Sequence, residues 1–222
     1  MRARRPAAAV GLAAALTLAS VSIGLAASLG LSSAHLTTVT KSYSAPVTCT
    51  LSATADSYVN KLVATTNFGT STVLQVNPTT LATQRTFVRF DLTTCSPAIP
   101  SDALVQSATV RLTVATLTTG TRTYELRSVT GSWTETGVTW NNQPTAASSV
   151  TASTNVSLGT AAGTVVQWTA TSDVESFVTG AGTNLGWRLG DSAEGGAVGA
   201  TLQLNSREAA TGQPQLVVTY VA

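Results

Sequence analysis

Apolar and polar residues alternate with period two in short runs through most of the chain. Ala108, Val110, Leu112 and Val114 fall on one side of such a run, and Thr109, Arg111, Thr113 and Ala115 on the other. This is the pattern of an antiparallel strand with one face on a core and the other in water. A Thr-Thr-Gly-Thr turn follows at 118–121, and residues 122–129 read as the returning partner, with Tyr124 and Leu126 alternating against Glu125 and Arg127. Residues 86–92 alternate likewise, with Val88, Phe90 and Leu92 opposite Phe87, Arg89 and Asp91. Further strands are predicted at 53–59, 73–77, 165–168, 186–189, 200–204 and 216–220, separated by turn residues such as Asn67-Phe68-Gly69 and Gly212. One helix is predicted, where Ser172-Asp173-Val174-Glu175 has capping-box spacing and Gly180 stops the run. About ten strands, one short helix and no βαβ alternation predict an all-β, jelly-roll-like antiparallel β-sandwich.

Residues 131–144, Gly-Ser-Trp-Thr-Glu-Thr-Gly-Val-Thr-Trp-Asn-Asn-Gln-Pro, break the alternation and hold two of the four tryptophans. We read them as a structured crossover, with a β-type run at 138–140 and turns at Gly137 and at Asn141-Asn142-Gln143-Pro144. In a chain with 5% aromatic residues, Trp133, Trp140, Trp168 and Phe90 are the expected large anchors of the core. The Ala-, Ser- and Thr-rich residues 144–154 read as a long surface connection.

The N-terminus changes the picture of charge and compartment. Arg2, Arg4 and Arg5 precede an uncharged, Ala- and Leu-rich run that ends in Ser32-Ser33-Ala34, the order of a signal peptide. The run is also long enough to serve as an uncleaved membrane anchor. We therefore divide the chain into 1–34 (signal peptide or anchor), 35–49 (extended lead-in) and 50–222 (one β-sandwich domain). With those three arginines set aside, nine Lys and Arg face ten Asp and Glu. A balance near neutrality lacks the basic face that nucleic acid demands. The chain's two cysteines, Cys49 and Cys95, predict one disulfide in an oxidising compartment. A catalytic thiol would need a histidine, and the sole histidine is His35 at the cleavage junction.

Several short pieces, in order, resemble the DNRLRE domain family, which is related to disaggregatase repeats and to an alginate-binding carbohydrate-binding module family. They are Ala55-Asp56-Ser57-Tyr58-Val59, Asn67-Phe68-Gly69, Arg89-Phe90-Asp91-Leu92, Ser132-Trp133-Thr134-Glu135 with the run from Val138 to Pro144, Asn184-Leu185-Gly186-Trp187, and Asn205-Ser206-Arg207-Glu208. The resemblance implies a jelly-roll sandwich on an exported or cell-surface protein.

The ten carboxylates show no acid/base spacing, so the residues themselves point to no catalytic constellation. The expected partner is a polysaccharide or cell-wall glycan. Its candidate contacts are Trp187, as an indole platform, with Arg188, Arg85, Arg89, Arg122 and Arg127, whose guanidinium forks suit sugar carboxylates. Asp56, Asn67 and Asp91 are candidate oxygen ligands for a structural Ca²⁺; pairing of Asp91 with Arg89 or Arg207 is the competing reading. A structural or adhesive surface protein, with Thr-rich exposed strands, is the alternative function, and a polysaccharide-degrading enzyme is the third.

Overall fold

The computed structural model describes residues 44–196 and 199–222; the N-terminal apolar run and its cleavage junction lie outside the described residues. Ten strands follow in the order β1 (Val47–Asn60), β2 (Val73–Val76), β3 (Gln84–Phe90), β4 (Leu104–Thr113), β5 (Arg122–Ser128), β6 (Ala152–Val156), β7 (Val165–Thr169), β8 (Trp187–Asp191), β9 (Leu202–Asn205) and β10 (Gln215–Val221). One α-helix, α1 (Thr171–Val178), lies between β7 and β8.

β1 has 14 residues, far longer than the common strand, because it serves both layers. Residues 47–52 pair with β10, while residues 53–60 pair with β3, and the register shifts between Ala53 and Ala55. An extra residue at such a point bends and twists a strand. From this corner β10, β4 and β7 extend one layer, and β3, β8, β5 and β6 extend the other. Between them lies the main core, where Trp168, Trp187, Tyr124, Tyr220 and Phe90 are its largest buried side chains. The β2–β9 ribbon bridges the layers through Asn77–Gln84 on one side and Val114–Leu204 on the other. Cys49 and Cys95 are joined by a disulfide that ties β1 to the segment after β3.

Four local expectations need correction. β4 and β5 are not hairpin partners: β4 pairs with β10 and β7, and β5 with β6 and β8. Alternation specifies which face of a strand is buried, but both strands satisfy it by facing one core from opposite sides. The 144–154 segment is no mere surface connection, because β6 begins within it at Ala152. Residues 138–140 form no strand; Asn142 instead accepts hydrogen bonds from the Thr139 N–H and hydroxyl and donates to the Gly137 carbonyl. The capping box does not form either. The helix begins at Thr171 with Ala170 as its N-cap. Its polar residues serve neighbouring elements instead: Glu175 Oε2 accepts from the Val105 N–H, and Asp173 Oδ2 accepts from the Trp187 indole at 2.7 Å.

Trp168 is 1% exposed and donates its indole N–H to the Tyr124 carbonyl across the layers. Trp140 is only half-buried, at the rim of a second, smaller cluster. Trp168→Ala is therefore expected to cost about 3–5 kcal/mol, and Trp140→Ala less than about 2 kcal/mol. Urea denaturation of both variants checks this, and equal losses would contradict the placement of Trp140.

Candidate functional site

Of the arginines that the sequence singled out, Arg85, Arg89, Arg127 and Arg188 lie on the outer face of β3, β8 and β5, whereas Arg122 begins β5 on the side of the inward-facing Tyr124. Antiparallel register puts Arg127 opposite Arg188, and Arg188 opposite Phe87. Arg85 lies two residues before Phe87 on β3, so it shares the same face. Glu125, Arg127, Arg188, Gly190, Asp191, Ser192 and Glu194 line a cavity of about 260 Å³ there.

Most of these cations are already engaged. Arg85 holds Glu194 through both Nε and a terminal nitrogen, the latter at 2.5 Å, and donates to Gln143 Oε1 at 3.0 Å. Its guanidinium also stacks over the Trp140 ring, 4.9 Å from the centroid. Arg127 pairs with Glu125 at 2.7 Å and donates to the carbonyls of Ala147 and Ser148. Arg122 is bidentate on the buried Asp191 carboxylate, whose hydrogen bonds raise the already high guanidinium pKa. Arg188 differs. Among the described residues it forms no ion pair, and its buried Nε–H has no acceptor. Burial, then the neighbouring Arg85, push its pKa down; Glu194 partly offsets them.

Arg89 and Trp187 leave this group. Arg89 sits over the Trp133 ring, 5.5 Å from its centroid, and lines a different cavity with Asp91 and Asn184. Trp187 is fully buried between Phe90 and Phe177. Its ring has no face to offer a sugar, which corrects its reading as a platform. The aromatic beside the arginines is instead Trp140. Trp140 and Leu185 border the outer cluster of Ala55, Val59, Phe87, Val129, Trp133 and Val138. Trp133, 7% exposed, donates its indole N–H to the Leu185 carbonyl at 2.8 Å.

The three proposed calcium ligands do not assemble as a set. Asp91 caps the short turn that follows β3, and the Thr93 hydroxyl and N–H hold its carboxyl below the usual range. Asn67 Nδ2 donates to the carbonyls of Glu135 and Val138, both at 2.7 Å, and its Oδ1 accepts from Gly69 N–H. Asp56 sits on β1 just past the corner, 1% exposed, and has different companions. Its Oδ2 accepts from Arg207 N–H and its own N–H donates to Glu135 Oε1, each at 2.8 Å. Arg207 in turn pairs with Glu135 at 2.8 Å and lies 3.6 Å from Glu208. Four of the separated motifs thus converge on one point. Gly69 is required there, since a Cβ at that position would lie 2.3 Å from the Glu135 carbonyl oxygen. Glu135 and Glu208 stood in quoted motifs, but nothing in a linear sequence signalled that they meet Asp56. Gln143 and Glu194, which flank Arg85, were likewise not foreseen.

Ten antiparallel strands in two layers around one core define the class of protein, a β-sandwich module. The chain belongs to carbohydrate-binding module family 96, whose model matches residues 47–220. No curated protein matches the chain. Among the described residues, no helix is long and apolar enough to cross a membrane.

Burial pushes the Asp56 carboxyl from its ordinary value near 3.8 to about 8; the Arg207 N–H opposes this, and Glu208 and Glu135 add to it. A raised folded-state value means that the native protein holds a proton which the unfolded chain has released. The stabilisation from this group is complete below about pH 4 and is lost as pH rises to about 8. In chelator-treated buffer, the denaturation midpoint is expected to fall between pH 5 and pH 8 by an amount that Asp56→Asn removes. A midpoint insensitive to that substitution at both pH values would contradict the assignment.

Proposed function

We propose that this carbohydrate-binding module is exported and non-catalytic, and that it takes acidic polysaccharide on the outer face of β3, β8 and β5. Arg188 carries this reading. Its cation is half-buried beside Arg85 and Arg127 and leaves one buried donor without an acceptor. Such an arrangement costs free energy in the free protein and recovers it when an anion arrives. A uronate carboxylate supplies that anion, and its two oxygens match the guanidinium fork. Trp140, held by Arg85, gives an adjoining apolar edge for sugar C–H groups.

The non-catalytic reading is supported by the placement of the raised carboxyl. Asp56 is the described carboxylate best tuned as a proton donor at neutral pH, yet it is 1% exposed and out of reach of a glycosidic oxygen. Export is supported by the Cys49–Cys95 disulfide together with the signal-like residues 1–34, with 35–49 as lead-in to the sandwich. The resemblance to DNRLRE domains fits the same setting. A second reading, a structural or adhesive surface module, rests on the opposite layer. Its outer face is rich in small hydroxyl side chains, including Thr48 and Thr219, whose hydroxyls meet at 3.0 Å.

Affinity electrophoresis against alginate and pectin, with soluble forms of xylan, cellulose and chitin as neutral comparators, tests the proposal. The expected outcome is retardation by the polyuronates that weakens sharply between 0.05 and 0.5 M salt, as exposed charge contacts do when screened over distances below about 10 Å. Arg188→Ala is expected to weaken binding about tenfold or more, while Thr219→Ala in the other layer leaves it unchanged. Retardation by none of these glycans would favour the adhesive reading, and new reducing or unsaturated chain ends would reveal an enzyme.

A further inference from the structure

The meeting point of Asp56, Glu135 and Glu208 lies outside the arginine face and has no part in the glycan reading. One carboxylate oxygen from each residue falls within 4.8 Å of the other two. Oxygens coordinating one calcium ion at 2.3–2.6 Å are at most about 5 Å apart, so this spacing fits a shared cation. Two oxygens in the cluster are buried and without a hydrogen-bond partner: Asp56 Oδ1 and Glu208 Oε2. The Asp56 carboxylate is 1% exposed, so water alone does not account for an orphan acceptor there.

Charge points the same way. Three carboxylates face one guanidinium, that of Arg207, which bonds Glu135 Oε2 and approaches Glu208. With all three carboxylates ionised, as a bound cation requires, two negative charges remain for that cation to balance in a partly dry corner. Arg207 and the Asp56 N–H occupy only one side of the group, since they engage Asp56 Oδ2 and both Glu135 oxygens. The orphan oxygens are those left over. The cluster is also well anchored. Glu135 is fixed through its carbonyl by Asn67, and Glu208 through its N–H by the Ser206 hydroxyl, which in turn donates to the Ser71 carbonyl at 2.6 Å.

We propose that Asp56, Glu135 and Glu208 bind one Ca²⁺ ion that locks the corner of β1 to the 67–71 turn, the tryptophan segment and the 206–208 turn. Calcium suits an all-oxygen set with irregular spacing and tolerates waters completing its shell, whereas magnesium demands a near-ideal octahedron. Asp91 and Asn67, which the sequence put forward as ligands, are replaced by Glu135 and Glu208. Asn67 acts as a positioning residue through the Glu135 backbone.

The test uses the whole described domain with CaCl2 as the only added ligand. Calorimetric titration at neutral pH is expected to show one site with a dissociation constant in the 10⁻⁵–10⁻³ M range of extracellular calcium modules. At 10 mM CaCl2 the thermal midpoint should rise about 5–10 °C over its value in EDTA. Glu208→Gln, at a side chain 26% exposed, should fold and weaken calcium binding about tenfold or more. Asp56→Asn should abolish the calcium response. Absence of calcium heat and of a thermal shift in the wild type at 10 mM overturns the proposal. So does a full calcium response in Glu208→Gln, which would place any bound ion elsewhere.

Discussion

Burying the Asp56 carboxyl at the corner of β1 is the constraint on which the rest of this module depends. One strand must belong to two layers, so it must bend, and a bulged bend leaves polar groups that neither sheet ladder satisfies. Asp56 sits immediately past the register shift between Ala53 and Ala55. Its N–H and Oδ2 find Glu135 and Arg207 instead of a neighbouring strand. That pair of bonds draws the tryptophan segment and the turn after β9 onto the corner. The Tyr58–Phe68 stack, 4.2 Å between centroids, brings in the turn at residue 67. The small outer cluster around Phe87 and Trp133 then covers part of the face of β3 that the main core does not.

The same covering defines the arginine face. Where residues 133–143 lie over the outer surface of β3, Phe87 is buried and Arg89 is absorbed against Trp133. Beside that cover, Arg85 meets Trp140 and Gln143, and Arg188 is left between Arg85 and Arg127. The crossover thus both shields and exposes: it seals one end of the sheet and sets the edge of the polar cavity at the other.

Fold class was legible because period-two alternation is a property of the chain itself: nine of the predicted runs became strands, and only β6, in the Ala-, Ser- and Thr-rich segment, was not foreseen. Partner choice was not, as β4 and β5 illustrate: opposite layers of a sandwich impose the same alternation as neighbours in one sheet. The role of Ser172-Asp173-Val174-Glu175 was misread for a related reason. Asp173 and Glu175 bond the Trp187 indole and the Val105 N–H, groups 14 and 70 residues away, and such contacts outweigh a local cap. Trp187 beside Arg188 looked like an exposed platform, but neighbours on a strand face opposite sides, so the arginine is outward and the tryptophan inward. The acidic cluster was invisible in one dimension because Asp56 lies 79 residues from Glu135 and 151 from Arg207, and Glu135 lies 72 from Arg207.

The claim that most needs a direct observation is that glycan meets this protein at Arg188. Arginine Nε–H and tryptophan indole N–H resonances resolve individually in nitrogen-edited NMR spectra, and an oligouronate titration reads both at once. The account predicts that the Arg188 Nε–H signal moves most and that Arg85 and the Trp140 indole follow. The Trp168 and Trp187 indoles, locked on Tyr124 and Asp173, should stay in place. Shifts confined to the threonine-rich face of β1, β10, β4 and β7, or no shifts at millimolar ligand, would contradict it.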